Sequence, residues 1–149
     1  MLENVTEREK IIQQEEKLWV LCLDDANVPQ IKSKLIETID WYQNSQLTKA
    51  LVKKKISLSF GERTLFASFE ILKATKILVF GLGNGADLNE AQAHRLLKNL
   101  SAVLTDLKEV HPWLAIGSDG SGTNSEFSSH VDKLKTSFPL LSDSVVSLG

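Results

Sequence analysis

The residues best suited to binding a ligand form a glycine-rich stretch, Gly81–Ala86, with the sequence GLGNGA. It fits the G-x-G-x-x-A spacing of a dinucleotide-binding turn and follows the apolar segment Lys76–Phe80, which is typical of a buried strand. Glycines let the backbone approach a pyrophosphate, and a helix that starts behind them offers free amides and the positive end of its dipole. The phosphate-binding candidates are therefore Gly81, Gly83, Asn84 and Gly85.

Two features of the sequence argue against a nucleotide at this turn. A dinucleotide fold needs an acidic residue about 20 positions further on, at the end of the next strand. The acid at that distance, Asp106, falls inside a predicted helix, and Asp87 would put a carboxylate where the phosphate should lie. The competing interpretation is a tight strand-to-helix turn that uses glycine for positive φ.

Metal and nucleophilic chemistry have little support in the sequence. His94, His111 and His130 lack the i, i+4 spacing of a helical metal site, so we expect no metal and no other cofactor. Ser118 and Ser121 lie in a run of small polar residues that does not give G-x-S-x-G after a strand, and no helix is expected directly behind it. We therefore predict no catalytic residue.

The surface candidates point to a protein partner or to self-association. Trp41 lies off the apolar stripe of its predicted helix, which makes it the best candidate for a partly exposed interface anchor. The basic cluster Lys53, Lys54 and Lys55 has no adjacent aromatic groups and is typical of a solvated face. With 17 Lys+Arg against 19 Asp+Glu, the net charge of −2 argues against a dedicated nucleic-acid binder.

Length and composition indicate one globular domain over residues 1–149, with 42% hydrophobic and 24% charged residues. The first residues show no basic segment followed by a long apolar run, so no secretory signal is expected. The apolar runs Leu18–Leu23 and Ile77–Leu82 are far shorter than the ~20 residues that span a bilayer. These features predict a cytoplasmic protein with no membrane association.

Five segments are predicted strands. Leu18–Leu23, Lys76–Phe80 and Trp113–Ile116 are apolar runs, and the first encloses Cys22, which predicts a buried, inert thiol. Alternating residues from Ile56 to Phe60 and the β-forming residues of Thr64–Phe69 indicate the other two.

The helices are expected between and after these strands. Residues 6–16 form either a short capped helix or an edge strand, and Leu140–Gly149 either a tail or a last edge strand. Gly117–Ser125 is predicted to be a flexible loop. The first predicted helix starts at Pro29 and ends at Tyr42, and a short one covers 47–51. A third covers 88–109, with Asp87 as its cap and Glu90 three residues after the cap, and the last covers 127–138. Strands alternating with helices predict a three-layer α/β domain.

The order of these segments resembles the N-terminal domain of cytosolic leucyl aminopeptidases over about Leu18 to Leu107. The strand Leu18–Leu23 ends in acidic residues, and Ile39-Asp40 is followed after a gap by LTKALV at 47–52. The sequence FGERTLF at 60–66 is similar to the family's Gly-x-x-Thr-Leu-Leu strand. KILVFGLG at 76–83 is similar to its central Ile-Leu-Leu-Val-Gly-Leu-Gly strand and turn.

The resemblance implies a macro-domain-like α/β/α fold with a mixed sheet. In that family the metal ions and catalytic groups lie in a C-terminal domain with no counterpart in this sequence. The resemblance therefore implies a non-catalytic, stand-alone homologue that acts in protein interaction or oligomer assembly.

The alternative is a macro-like module that binds a nucleotide or ADP-ribose phosphate at Gly81–Ala86, where Asn84 occupies a position that is often basic in the family. A third interpretation, aminopeptidase activity, rests on homology alone.

Overall fold

A mixed five-stranded sheet forms the centre of the structure, a computed structural model that describes residues 11, 14, 17–67, 76–118 and 122–149. Its strands are β1 (Leu18–Asp24), β2 (Arg63–Ala67), β3 (Lys76–Gly83), β4 (Trp113–Ile116) and β5 (Val146–Leu148). They lie in the order β2-β3-β1-β4-β5. Neighbouring strands are parallel, except that β2 runs antiparallel to β3.

Helices cover both faces of this sheet. In the described part of the chain they are α1 (Lys34–Tyr42), α2 (Gln46–Val52), α3 (Glu90–Leu107) and α4 (Gly122–Leu134). Because successive side chains of a strand point to opposite faces, β1 contributes to two cores. Alternate residues from Leu18 to Cys22 pack with α3 and α4, and those from Trp19 to Leu23 pack with α1 and α2. The predicted three-layer α/β/α arrangement with a mixed sheet is confirmed.

Strand β1 lies at the centre of the molecule, and all seven of its residues are buried. Trp19 pairs in register with Trp113 of β4, and their rings meet edge to face with centroids 5.0 Å apart. This geometry suits the electrostatics of aromatic rings. The predicted strands at Leu18–Leu23 and Trp113–Ile116 are therefore present.

Helix α1 begins at Lys34 and not at Pro29, the predicted start. The amides of Lys32 and Ser33 donate to Oδ1 of Asn27 at 2.7 and 3.3 Å, which holds the preceding segment in a separate turn. The Ser33 hydroxyl then caps the helix by accepting the amide of Ile36 at 3.1 Å. The helix ends at Tyr42 as expected, and the short helix predicted at 47–51 is α2.

Helix α3 starts two residues later than predicted and has a different cap. Asn89 accepts the amide of Gln92 at 3.0 Å, whereas Asp87 belongs to a short 3-10 turn that precedes the helix. Spacing alone did not separate these two good capping residues. The apolar face of α3 is buried as the periodicity predicts.

The segment from Ile56 to Phe60 is not a strand, which corrects the prediction from its alternating residues. The carbonyls of Leu58 and Glu62 accept the amides of Gly83 and Gly81 from β3, both at 2.8 Å. Between these two contacts the chain turns, with the amide of Glu62 donating to the carbonyl of Ser59 at 3.0 Å. That turn prevents a regular strand ladder.

The polar run Gly117–Ser125 is only partly a loop, because α4 begins at Gly122. The expectation that no helix follows the serines was therefore wrong, and the helix predicted at 127–138 ends at Leu134. Strand β5 shows that the end of the chain includes an edge strand. Of residues 6–16 the structure describes only 11 and 14, so the prediction for that segment falls outside the described residues. The predicted strand Thr64–Phe69 contains most of β2, and its last two residues are not described.

Candidate functional site

The first two candidate glycines, Gly81 and Gly83, belong to the end of β3 and not to a turn. Their amides donate to main-chain carbonyls of the neighbouring 56–62 segment, so they are already used within the sheet. A Cβ at Gly81 would lie 2.4 Å from the carbonyl oxygen of Ser59. This glycine therefore permits the close approach of another chain segment.

The other two candidates, Asn84 and Gly85, form the turn between β3 and α3. The Asn84 side chain is exposed and accepts the amide of Ala86 at 2.9 Å, and the amide of Asp87 donates to the Asn84 carbonyl at 3.0 Å. The turn thus satisfies two of its own amides. The binding role of these four residues stays a prediction.

Buried polar side chains from three elements meet beside this turn, where the carboxyl ends of β3, β1 and β4 lie at one edge of the sheet. Asp24 ends β1 and is 1% exposed; its Oδ1 accepts from the amide of Ala26 and from Nδ2 of Asn27, both at 3.1 Å. Asn124 of α4 donates from Nδ2 to Oδ2 of Asp24 at 3.2 Å and to the carbonyl of Gly117 at 2.7 Å. The hydrogen bonds of the Asp24 carboxylate therefore connect β1 to α4 and to the segment before α1.

Oδ1 of Asn124 is buried and has no hydrogen-bond partner among the described residues. It points toward the turn, because a Cβ placed on Gly85 would lie 3.7 Å from this oxygen and 2.7 Å from Oδ2 of Asp24. A buried acceptor without a partner costs free energy. A hydrogen-bond donor that reached this oxygen would therefore satisfy it.

Sequence reasoning missed this polar cluster, although signals for it exist. Asp24 and Asn27 directly follow a buried strand, at the edge where ligands bind in open α/β sheets. Asn124 lies three residues before Phe127, so it continues the buried stripe of α4 backwards into a run that was predicted to be a loop.

A groove of about 420 Å³ lies at the start of α2, beside α1 and the segment before it. Trp41 forms part of its wall and, at 68% exposure, is the most exposed large apolar side chain in the described part of the chain. The remaining lining residues are Gln30, Ile31, Glu37, Thr38, Asp40, Ser45 and Thr48.

Asp40 shapes this groove by holding the first turn of α2. Its carboxylate accepts the amides of Leu47 and Thr48 at 2.8 and 3.0 Å and the hydroxyl of Thr48 at 2.6 Å. Asp40 is only 4% exposed, whereas Glu37 is exposed to solvent. The accessible charge of the groove is therefore that of Glu37.

The basic cluster lies beyond the other end of α2. Lys53, Lys54 and Lys55 are all exposed, and Lys54 has a φ of 56°, which marks a turn. None of the three lines the groove of its own chain. The structure thus separates the two surface candidates, Trp41 and the lysines.

The side chains of His94, His111 and Cys22 each contact neighbouring groups of the chain. Among the described residues no group of three or more His, Cys, Asp or Glu side chains could hold a metal ion. The ring centroids of His94 and Phe138 are 5.5 Å apart, and Nε2 of His111 lies 3.7 Å from Oδ2 of Asp143. Burial raises the pKa of the Cys22 thiol to about 12, which makes it a poor nucleophile. Among the helices in the described part of the chain, none has the length and the apolar composition that a membrane-spanning segment requires.

Comparison with known proteins finds similar folds among solved structures. No family model matches the sequence, and no curated protein matches it. A tomato leucine aminopeptidase is similar over 93% of this chain, with a TM-score of 0.65 and 16% identity. The match covers 31% of that enzyme, its N-terminal portion.

Macrodomains have the same fold. The macrodomain of Mycobacterium tuberculosis DarG matches 92% of this chain and 91% of its own length, with a TM-score of 0.58 and 13% identity. Thermosipho africanus DarTG, solved in complex with ADP-ribose, matches 93% of this chain and 39% of its own, with a TM-score of 0.51 and 14% identity. The macro-like fold of the aminopeptidase N-terminal domain is therefore confirmed.

Proposed function

We propose that residues 1–149 form a non-catalytic domain homologous to the leucyl aminopeptidase N-terminal domain, and that it acts in the cytoplasm in protein interaction or oligomer assembly. The observation that carries this proposal is Trp41, which exposes most of its indole ring on the wall of a groove. Tryptophan is enriched at the centres of protein interfaces because it buries a large area at a low entropic cost.

Site-specific photo-crosslinking from position 41 in living cells tests this role. A photoreactive aromatic residue, which keeps a large ring at the position, replaces Trp41 in one variant and Ala102, an exposed position on α3, in the control variant. We expect covalent adducts of defined mass from position 41 and none from position 102. If position 41 gives no more adduct than position 102, the proposed role is wrong.

The absence of peptidase activity is a separate part of the proposal. The likeness to the aminopeptidase covers 31% of that enzyme, and the described residues contain no candidate metal cluster. Pure protein should release no leucine from a leucyl peptide when divalent metal ions are added. Metal-dependent release that copurifies with the protein would contradict this part.

A second candidate function is binding of ADP-ribose or a nucleotide phosphate at the turn between β3 and α3. The unpartnered Oδ1 of Asn124 beside Gly85 favours it, as does the fold shared with a protein solved with ADP-ribose. The buried carboxylate of Asp24 beside the same turn opposes an anionic group there.

A thermal-shift titration with ADP-ribose and a nucleotide panel tests this second function. Ligand at 100 times its Kd should stabilise the fold by roughly 2.7 kcal/mol. Asn84→Asp should abolish the shift by adding a carboxylate at the turn, whereas Asn44→Asp, the same change at an exposed position after α1, should not. No shift with any ligand would exclude this function.

A further inference from the structure

The groove beside Trp41 carries acidic charge without a basic counterpart. Glu37 and Asp40 are the ionisable side chains among its lining residues, and the other polar ones are neutral. Asp40 is engaged by the first turn of α2, so its charge is partly compensated by the amides there. Glu37 is exposed and adds its full charge to the groove mouth.

The exposed carboxylate and the indole ring are arranged to hold a cation together. Glu37 and Trp41 are four residues apart on α1, which places them next to each other on the same face of the helix. A Lys or Arg side chain lying over the indole face gains a cation–π attraction, and tryptophan is the best ring for it. Tyr42 packs edge-on against Trp41 at 5.2 Å and restrains the ring before any partner arrives.

The same chain carries the matching group on a different surface. Lys53, Lys54 and Lys55 are consecutive and exposed, and the turn at Lys54 follows the end of α2. None of them lines the groove of its own chain, so a contact between lysine turn and groove would join two copies. A contact between two different surfaces is heterologous, and it builds rings or open chains of subunits.

We propose that the groove formed by Trp41 and Glu37 binds the Lys53–Lys55 turn of a second copy of this chain, which names the partner of the assembly role proposed above. Attraction between exposed charges is screened by salt, so the association should weaken as ionic strength rises.

Charge-reversal variants with complementation test this contact. In light scattering, the mass of the wild type should rise above 16.6 kDa with protein concentration and fall again in high salt. Glu37→Lys and Lys54→Glu should each stay at the mass of one chain. An equal mixture of the two variants should form heterodimers, because the first keeps an intact lysine turn and the second an intact groove.

Matched controls are available on α4 and α3, on the opposite side of the sheet. Glu126→Lys and Lys98→Glu make the same charge changes at exposed positions and should associate like the wild type. Trp41→Ala should abolish the association. In the wild type, the fluorescence of Trp41 should report the association directly. Trp19 and Trp113 are fully buried, so a fluorescence change on association should come from Trp41. If a reversal variant does not fold, as judged by circular dichroism, the corresponding Gln variant replaces it.

Three outcomes would overturn the inference: a wild type that keeps the mass of one chain at every concentration, reversal variants that associate like the wild type, or a mixture that restores nothing. Cross-linking from position 41 to a different protein, with the pure chain monomeric, would keep the proposed interaction role and overturn only this partner.

Discussion

Cys22 shows how a reactive residue type becomes part of the packing. It lies in β1, whose residues are all buried, and contacts the core that α3 and α4 cover. Burial raises the pKa of the thiol to about 12 because the thiolate would lose its hydration. At neutral pH the sulfur is a small apolar group.

This shift predicts a loss of stability at high pH. The folded state keeps the Cys22 proton up to about pH 12, whereas the unfolded state releases it near pH 9.0. Between these values the folded state binds more protons, so the free energy of unfolding falls as pH rises. Urea denaturation of wild type and Cys22→Ala should show a stability difference that changes between pH 9.0 and 12 and stays constant below. A difference that is independent of pH would contradict the burial effect.

At the scale of elements, the start of α3 shows which of two neighbouring polar residues caps the helix. Both Asp87 and Asn89 can cap a helix, but only the Asn89 side chain accepts the amide at the third helical position, Gln92. Asp87 is exposed and sits in the preceding turn.

A pair of alanine substitutions separates these two caps. Asn89→Ala removes the hydrogen bond to the amide of Gln92 and should lower the free energy of unfolding by about 1 kcal/mol. Asp87→Ala should change the free energy of unfolding by less than about 0.5 kcal/mol, as expected for a surface residue whose side chain does not cap the helix. Urea denaturation midpoints measure both, and equal losses would mean that the cap is wrongly assigned.

At the scale of the whole molecule, stability is concentrated in the centre of the sheet. Strand β1 is buried throughout and hydrogen-bonds to parallel strands on both sides, whereas β5 has three half-buried residues at one edge.

Hydrogen exchange should reveal this gradient. We expect amides of β1 to exchange only through global unfolding and those of β5 to exchange at least about tenfold faster through local opening. Mass spectrometry of peptic fragments measures both, with β2 at the opposite edge as a second fast-exchanging strand. Equal protection of β1 and β5 would show that the sheet opens as one unit.

Much of the fold could be predicted because its elements depend on local patterns. Continuous apolar runs predicted β1, β3 and β4, and helical periodicity predicted α1 and α3, since each pattern reflects one buried face. The alternation at Ile56–Phe60 failed because a turn at Ser59–Glu62 interrupts the pairing with β3. Gly81 lies within β3 and lets the carbonyl of Ser59 approach closely, a contact between separate segments that the local sequence does not reveal.

Residue type and periodicity along the chain already predict the α/β/α architecture, the buried thiol and the set of candidate groups. Which polar side chains meet depends on how distant segments pack together. Asp24 and Asn124 are 100 residues apart, and their hydrogen bond exists because β1 ends and α4 begins at the same edge of the sheet. Likewise, Trp41 and Glu37 share a groove that the lysines do not line, because burial of α1 and α2 against the sheet fixes which faces remain exposed.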